Sequence, residues 1–527
     1  MKSTLMCLAI ILLFSIKITH AGMMETIPVG EEVYQWVYEH LDELYARKLI
    51  NDLNLGTKPY FRGKVAEELL SLRERIQKGE LSLSPSENYL LIELENEFSS
   101  EINELKLKAN QKETDKLSKN FLWGLDFKEG SNFKSQQKAI FRETYWPYAK
   151  AQIGSNFFAC ARYAIDESLA QDPNYEGKIW RGFAGDAAQA YLAFNLPYFK
   201  ILLGRERIAW GQKSTGELIL SESAAPMDLV KIQGGWGIFQ GTSFFAFLSP
   251  LLAQDSSGEI TQINRYLSGH RISLKLFSLA QVGLSETIIY GGKNRQLEAH
   301  YVNPLLWYHS SQLNGKRDDN TFFAFDFNLR PKRDLVFYGE FLIDDLQIEK
   351  KSQGDEEPNE LGYSGGFSML DILSLKGTEL SLEYTRINNW TYNQKEEYNR
   401  YLNQNKLIGN PLGPDTDNLK ASFSTWLKRG LKSEITYREK RAGEGRVTSP
   451  WSEPWALAQG EYHEKFPSGV VEKMSNFSMT LQYNYTNILR LKLSWDYFNF
   501  INYQNEPDHK ENFNQVNLLL SYHFMKM

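Results

Sequence analysis

Two arginines spaced two positions apart, Arg205 and Arg207, open the densest group of charged side chains in the sequence. Residues at this spacing share one face of a β-strand. Their planar guanidinium groups suit carboxylates, such as uronate or pyruvate groups on an acidic polysaccharide. Glu206 alternates with them, which predicts a position at a strand end or a pair across strands. Trp210 is suited to stacking on a sugar ring, to an interfacial girdle or to packing, and the last two roles are favoured.

Five further candidate residues are His270, Arg271, Glu286, Asp344 and Asp345. His270 and Glu286 are residue types that perform acid–base catalysis, but no serine nucleophile lies in an evident motif, so we do not predict an enzyme. Asp344 and Asp345 are suited to binding calcium, to accepting hydrogen bonds from sugars, or to pairing with arginines. An internal network of ion pairs is the favoured interpretation. The eight histidines show no Cys/His spacing typical of zinc, and we predict neither a metal nor a cofactor.

The N-terminus has the pattern of a secretory signal peptide at residues 1–21. Lys2 precedes an apolar run over residues 5–16 that is too short to span a bilayer, and a small-residue cleavage motif follows it. Cleavage removes Lys2 and Lys17, which changes the formal net charge from −6 to −8. A chain of this acidity gives no reason to expect nucleic acid as a partner. Only Cys160 then remains, so the fold must hold without an internal disulfide.

Residues 22–108 have the apolar spacing of helices. Three helices are predicted, over about 33–49, 63–76 and 84–107, and the run from Ser84 to Glu87 is typical of a helix start. Helices of this number and length predict a small bundle, which we expect on the periplasmic side of the outer membrane.

The turn ahead of the second helix, from Thr57 to Arg62, resembles that of an S-layer-homology hairpin. This resemblance implies that the N-terminal domain binds a cell-wall polymer. The alternative, which is favoured because only one such unit is present, is a structural plug or a periplasmic cap. Residues 109–144 are predicted to form a linker and one strand, around 121–127, that leads into the next domain.

The period of the apolar residues changes from 3.6 to 2 beyond this linker. Over 321–330, Phe323, Phe325 and Phe327 alternate with polar residues that include Asp326 and Arg330. Charged side chains on one face, large aromatics on the other and runs of about ten residues are typical of strands in a transmembrane β-barrel. We therefore predict that residues 145–527 form a mainly β domain, a large antiparallel barrel of about 16–20 strands.

Several features of this barrel follow from the same pattern. The face shared by Arg205 and Arg207 is predicted to line the lumen. Long polar connections are expected on the extracellular side, over residues 166–178, 349–360, 393–418 and 441–468. Tyr522 and Phe524 near the C-terminus resemble the signal read by the barrel assembly machinery, which is an expected partner together with outer-membrane lipid.

A series of short motifs runs through the charged group. They are Asp186 with Gln189-Ala190-Tyr191, Leu203 to Gly211, Ser221 to Pro226, Ser268 to Arg271, Leu284 to Thr287, and Leu342 to Asp345, with weaker ones at Glu383 to Arg386 and Pro411 to Pro414. As an ordered set they resemble the capsule-assembly Wzi family of outer-membrane proteins. The resemblance implies a barrel of about 18 strands with a helical bundle at its periplasmic end. It also implies a lectin-like role in holding capsular polysaccharide at the cell surface, and no enzymatic activity.

Two functions remain open from the sequence. The first is a surface protein that binds capsular or exopolysaccharide and has an occluded lumen. The second is an outer-membrane porin or substrate channel without a role in the capsule. An aromatic-lined extracellular pocket above a blocked lumen would indicate the first, and a conducting lumen would indicate the second.

Overall fold

The computed structural model describes residues 22–110, 119–135, 140–154, 156–173, 175, 177–211, 216–254, 260–315, 317–347, 357–457, 462–485 and 488–526. The predicted signal peptide lies outside these ranges. Within them, none of the helices is long and apolar enough to cross a membrane.

Eighteen antiparallel strands in the described part of the chain form a closed barrel. Each strand pairs with the next one along the chain, and the barrel closes between the first and the last, where Trp123 pairs with Lys526. The fold class and the favoured strand number are confirmed. The strands are β1 (Lys119–Lys134), β2 (Ile140–Ile153), β3 (Phe157–Asp166), β4 (Ala184–Asn195), β5 (Phe199–Glu206), β6 (Met227–Trp236), β7 (Phe239–Gln254), β8 (Ile260–Leu276), β9 (Ala280–Lys293), β10 (Asn320–Lys332), β11 (Leu335–Asp345), β12 (Glu360–Leu370), β13 (Thr378–Ile387), β14 (Thr416–Lys428), β15 (Leu431–Ala442), β16 (Glu472–Tyr485), β17 (Leu489–Ile501) and β18 (Lys510–Lys526).

The barrel begins earlier than residue 145, where the sequence pattern placed its start. β1 and the first residues of β2 lie within 109–144, the segment predicted as a linker with one strand. The strand predicted around 121–127 is part of β1, with Phe121 and Trp123 pointing outward and Asp126 pointing inward, where it contacts Arg162. The mostly polar residues 128–138 that follow it have the composition of a linker, which separated this strand from the later ones in the sequence pattern.

The two faces of the strands differ as the alternation predicts. On β10, Phe325 points outward and is 45% exposed, whereas its neighbour Asp326 points into the lumen and is 2% exposed. Arg330, on the same inward face, is fully buried and donates to the carbonyl oxygen of Tyr45 at 2.6 Å. The outward face is therefore apolar and exposed, and the inward face packs against other parts of the protein.

The N-terminal region contains four helices in its described residues, where three were predicted. They are α1 (Glu32–Ala46), α2 (Arg62–Gln77), α3 (Pro85–Glu97) and α4 (Ser99–Asn110). α3 starts as predicted, because Ser84 and Glu87 form a capping box. The helix predicted over 84–107 is interrupted at Phe98. There the Arg62 guanidinium group lies 4.5 Å from the centre of the Phe98 ring and donates a 2.7 Å hydrogen bond to the carbonyl oxygen of Glu97.

These helices plug the barrel from one end, called here the short-turn end, where strands are joined by tight connections such as 237–238, 333–334 and 429–430. Arg47, at the end of α1, pairs with the turn residues Asp334 at 3.3 Å and Asp371 at 3.0 Å.

The turn that resembles an S-layer hairpin lies inside the barrel. Thr57 and Lys58 form a short strand that pairs with a second one, Ala209–Trp210, and the Lys58 ammonium group is 3.1 Å from Glu217. Thr57 and Lys58 are each 3% exposed. Their contacts are with the barrel, which leaves little of this turn accessible to a cell-wall polymer.

The opposite end, called here the long-loop end, carries the connections 167–183, 388–415 and 443–471, close to three of the four loops that the sequence predicted, and the connection 294–319, which it did not predict. Most of the fourth predicted loop, 349–360, lies outside the described residues. The remaining elements lie in these connections or between strands. They are α5 (Ala299–Val302), α6 (Tyr308–Gly315), the short strands Leu402–Asn403 and Lys406–Leu407, and 3-10 turns at Leu169–Gln171, Ile372–Ser374, Glu397–Asn399, Pro454–Leu457 and Tyr503–Asn505.

Candidate functional site

Arg271 is the centre of a network of hydrogen bonds inside the barrel that includes an ion pair with Asp326. Its guanidinium group donates to Asp326 at 3.0 Å and to the Ser285 hydroxyl at 2.9 Å, and its Nε donates to Thr57 Oγ1 at 3.1 Å. These partners lie on β10, on β9 and in the N-terminal region. A single side chain, 2% exposed, thus ties two neighbouring strands and the plug together.

Arg205 does not line the lumen, and this part of the sequence prediction is wrong. It lies on the same face of β5 as Leu203, which is 47% exposed, and so points outward from the barrel. Its guanidinium group pairs with Asp228 at 2.7 Å and with Asp186 at 3.0 Å, both on neighbouring strands. β5 ends at Glu206, so the alternation of faces does not extend to Arg207.

Glu206 and Arg207 join the barrel wall to the segment ahead of α1. Glu206, the last residue of β5, is 1% exposed and accepts hydrogen bonds from Thr26 Oγ1 at 2.5 Å and Gln189 Nε2 at 3.0 Å. Arg207 donates to the carbonyl oxygen of Val29 at 2.7 Å. Both side chains therefore hold the plug in place.

Trp210 has a packing role within the barrel. Its side chain is fully buried, and its ring lies 5.2 Å from that of Phe244 in a nearly perpendicular arrangement. A tryptophan in this position neither contacts lipid nor offers a free face to a sugar.

His270 and Glu286 lie on the outer face of the barrel, covered by α6. His270 Nε2 is 3.0 Å from a carboxylate oxygen of Glu286. The same carboxylate accepts hydrogen bonds from the backbone N–H groups of Tyr308 at 3.0 Å and His309 at 2.8 Å, at the start of α6. Glu286 is 1% exposed, so it fixes this helix to the barrel and is not open to a substrate.

Asp344 and Asp345 end β11 near the long loops. Asp344 accepts a 2.6 Å hydrogen bond from the backbone N–H of Tyr392, and Asp345 accepts one from the Gln347 side chain at 3.2 Å. Among the residues that the structure describes, no group of three or more His, Cys, Asp or Glu side chains is arranged to hold a metal ion. The role visible for Asp344 is to hold the connection 388–415.

An aromatic cluster at the long-loop end was not identified from the sequence. Trp390, in the connection 388–415, lies 5.2 Å from Trp451 and 5.5 Å from Trp455 between ring centres, and Tyr462 lies 6.4 Å from Trp455. Trp390 and Trp455 are 8% and 6% exposed and form the base of the cluster, whereas Trp451 and Tyr462 are partly exposed. The sequence signal was the pair Trp451 and Trp455, two indoles four residues apart in a polar loop.

A carboxylate adjoins this cluster. Glu464 accepts hydrogen bonds from Trp390 Nε1 at 2.8 Å and from Asn389 Nδ2 at 2.9 Å. Burial raises the pKa of Glu464, and these two hydrogen bonds work against the rise. Partly exposed rings beside a carboxylate combine apolar surface with a hydrogen-bond acceptor, a combination that suits a pyranose ring and its hydroxyl groups.

The two loops that supply the cluster are fastened to each other and to the barrel rim. Asp415, just before β14, accepts hydrogen bonds from the backbone N–H groups of Ser468 at 2.9 Å and Gly445 at 3.0 Å. Asn393 Nδ2 donates to the Ser449 carbonyl at 3.2 Å. The aromatic side chains are thus held in one arrangement before any ligand binds.

The lumen is occupied from both ends. The connection 388–415 enters it from the long-loop end, where the hydroxyl groups of Tyr392 and Tyr401 donate to the carbonyl oxygens of Leu218 at 2.6 Å and Ile219 at 2.9 Å. The helices enter from the short-turn end. A polar cavity of about 640 Å³ remains beside α1, bordered on the barrel side by charged residues that include Lys432.

A closed barrel with an apolar outer surface, an internal plug and a fixed aromatic cluster on its long loops defines a transmembrane β-barrel protein of the outer membrane. Within this class, the chain belongs to the family of the capsule assembly protein Wzi, whose family model matches residues 117–513. The match starts just ahead of β1 and ends within β18, so it covers the barrel and not the plug. The protein is a capsule-related outer-membrane barrel, as the sequence motifs indicated.

Solved structures give a likeness in fold. One is Wzi of Escherichia coli, an outer-membrane protein involved in group 1 capsule assembly and described as a carbohydrate-binding β-barrel. It matches with a TM-score of 0.58 and 15% sequence identity over 94% of this chain and 98% of that chain. OccD3 of Pseudomonas aeruginosa matches with a TM-score of 0.46 and 9% identity over 78% of this chain and 93% of that chain. OccAB1 of Acinetobacter baumannii matches with a TM-score of 0.45 and 9% identity over 79% of this chain and 100% of that chain. A sequence comparison with curated proteins gives no significant match.

Proposed function

We propose that this protein binds capsular or exopolysaccharide at the cell surface and organises it there, as a lectin-like barrel without enzymatic activity. Membership of the capsule assembly family supports the class of ligand. The aromatic cluster carries the proposal, because Trp451 and Tyr462 offer partly exposed rings on a buried base of two further tryptophans. The proposal places the long-loop end, which carries the cluster, on the outside of the cell.

The charged residues that the sequence suggested for glycan binding have a structural role in this proposal. Arg205 already pairs with two carboxylates, and Arg271 is enclosed with Asp326, so an acidic sugar would have to displace these partners. Separating the buried pair of Arg271 and Asp326 would leave a desolvated charge and is strongly unfavourable. The charged residues therefore brace the barrel, and the ligand binds at the aromatic cluster.

The N-terminal domain acts as a periplasmic plug in this proposal and not as a cell-wall anchor. The residues of its S-layer-like turn are used in contacts with the barrel, as the pair Lys58 and Glu217 illustrates. Export by the predicted signal peptide, and insertion by the barrel assembly machinery into outer-membrane lipid, complete the pathway that we propose.

Removal of the protein from a capsulated host tests the function. Deletion is expected to release polysaccharide into the medium while its synthesis continues, and the intact gene restores surface attachment. A variant with Trp451→Ala and Tyr462→Ala, expressed at the same level in the membrane, is expected to restore attachment poorly. Unchanged surface attachment in the deletion strain would contradict the proposal.

A porin is the second candidate, and the polar cavity beside α1 is the observation that favours it. Its walls carry charged groups such as Lys432 and Glu434, as the walls of an aqueous pore do. Single-channel recording of pure protein in a planar bilayer separates the two functions. The lectin-like barrel is expected to show no steady conductance, whereas stable ohmic steps would favour the porin.

A further inference from the structure

The connection between β9 and β10, residues 294–319, folds back along the outside of the barrel and is called here the strap. Its Tyr301 and Tyr308 are fully buried, although they are on the outer surface of the wall. Tyr301 packs 4.8 Å from Tyr290 of β9, and Tyr290 stacks 5.2 Å from Tyr266 of β8. The strap is thus packed on the barrel wall through its tyrosine side chains and is not a free loop.

The register of the strands shows how far the strap extends along the wall toward the short-turn end. His270, Glu286 and Phe323 form one outward-facing row across β8, β9 and β10, and the strap covers this row. The next outward row toward the short-turn end is Ile272, Leu284 and Phe325, with side chains 54%, 45% and 45% exposed. These three side chains belong to the lipid-facing belt. The edge of the strap nearer the short-turn end therefore adjoins that belt directly.

The strap itself exposes apolar side chains at this edge. Pro304 to Trp307 is a run of four apolar residues, of which Leu305 is 89% and Trp307 is 51% exposed. Trp307 lies 6.0 Å from His270 and 6.3 Å from Phe323 between ring centres, which places it at the covered row. Leu313 of α6 is a further exposed side chain, at 64%. Runs of this kind on a protein surface mark a contact with another apolar phase.

We propose that the strap is a membrane-contact element, whose Pro304–Trp307 run inserts among the acyl chains of the lipid leaflet at the long-loop end. Its occupant is lipid, because the exposed run is continuous with the belt row that lipid already covers. Tryptophan is enriched at this boundary between chains and head groups, and Trp307 has that position. The strap covers the polar pair His270 and Glu286, which would otherwise face hydrocarbon.

Site-directed labelling tests this proposal. Cys160 is the single cysteine beyond the predicted signal peptide, so a Cys160→Ala background allows one fluorophore to be placed at Leu305→Cys. The matched control is Leu457→Cys, which is 86% exposed in the connection 443–471 at the same end of the barrel. Both proteins are refolded into phosphatidylcholine vesicles that contain lipids spin-labelled on the acyl chain. Leu313→Cys provides a second strap position if the Leu305 variant does not refold.

We expect the probe on the strap to be quenched at least twofold more by the spin-labelled lipid than the probe at Leu457, and to be protected from aqueous iodide. Equal quenching of the two probes by iodide, with no extra quenching by lipid, would overturn the proposal. A strap probe shielded from both quenchers would overturn it as well, because it would show that a protein covers the run. Neither result depends on glycan binding, so failure here is distinct from failure of the proposed function.

Discussion

The indole N–H of Trp390 donates a 2.8 Å hydrogen bond to the carboxylate of Glu464, across two different loops of the barrel. This contact joins the connections 388–415 and 443–471 into a single surface. Around it, Trp451 and Trp455 pack on the indole of Trp390. A ligand that binds this surface contacts rings whose positions are already fixed. Binding therefore loses little conformational entropy in the side chains and loops.

Asp415 is predicted to act on ligand binding through the position of the loops. Asp415→Ala leaves the backbone N–H groups of Ser468 and Gly445 without their acceptor, at a cost of about 1–3 kcal/mol to the arrangement of the loops. We expect weaker polysaccharide binding with the aromatic side chains intact, measured by biolayer interferometry. The control Asp508→Ala, in an exposed turn between β17 and β18, should bind as the unchanged protein does. Equal effects of the two substitutions would contradict this prediction.

Arg271→Met is predicted to destabilise the barrel, because it removes the positive charge that pairs with the buried carboxylate of Asp326. The expected loss is about 3–5 kcal/mol, read from urea unfolding in detergent or from the temperature at which the barrel loses its compact electrophoretic mobility. The double variant with Asp326→Leu removes both charges and should recover much of the loss. A double variant as unstable as the single one would show that the ion pair is not the reason.

His40 predicts a pH dependence of plug docking. Burial, together with the positive charges of Arg490 and Lys432, keeps the pKa of His40 well below the ordinary value of 6.5. The docked form therefore holds neutral His40. Its contribution to docking is complete above pH 6.5 and is lost as the pH falls from 6.5 toward the depressed pKa.

We expect faster hydrogen exchange of α1 at pH 5 than at pH 7.5, after correction for the intrinsic rates. His40→Phe keeps a ring against Trp36 and Trp426 and cannot be protonated, so it should remove that part of the pH dependence. An unchanged difference between the two pH values in this variant would assign the effect to other groups.

Glu286 is predicted to hold the strap in place. Glu286→Ala leaves the N–H groups of Tyr308 and His309 without their acceptor beneath the strap, at a cost of about 1–3 kcal/mol. Hydrogen exchange should rise in residues 299–315 and remain unchanged in the barrel strands. Glu286→Gln, which keeps one carbonyl oxygen, should have an intermediate effect. A strap that exchanges at the same rate in all three proteins would contradict the assignment.

The barrel was predictable from the sequence because each strand face meets a different environment. An apolar outer side and a charged interior require opposite residue types, so the alternation of Phe325 and Asp326 predicts which face each side chain lies on. The start of the barrel was placed too late, since the mostly polar residues 128–138 follow the alternation of β1 over 121–127 and have the composition of a linker. The two-residue period does not show where a strand ends. Arg205 and Arg207 were therefore assigned to one strand face, although β5 ends at Glu206.

The aromatic cluster illustrates what the sequence leaves undetermined. Trp390 and Trp455 are distant in the chain and lie on different connections, and only the strand register of the barrel brings them together. The same holds for Glu286, which sequence reasoning considered as an acid–base residue. Besides His270, its neighbours are the N–H groups of Tyr308 and His309, which come from a strap whose fold back onto the wall has no periodic signal.

Equilibrium binding of purified capsular polysaccharide from the host to the refolded protein tests the central claim most directly. The unchanged protein and the control Trp236→Ala, an 86% exposed tryptophan at the short-turn end, are expected to bind it saturably and with equal affinity. The double variant Trp451→Ala and Tyr462→Ala should bind at least about tenfold more weakly, since each lost ring removes roughly 0.5–1.5 kcal/mol beyond its buried area. Absence of saturable binding by the unchanged protein, or equal binding by the double variant, would contradict a polysaccharide site at the aromatic cluster.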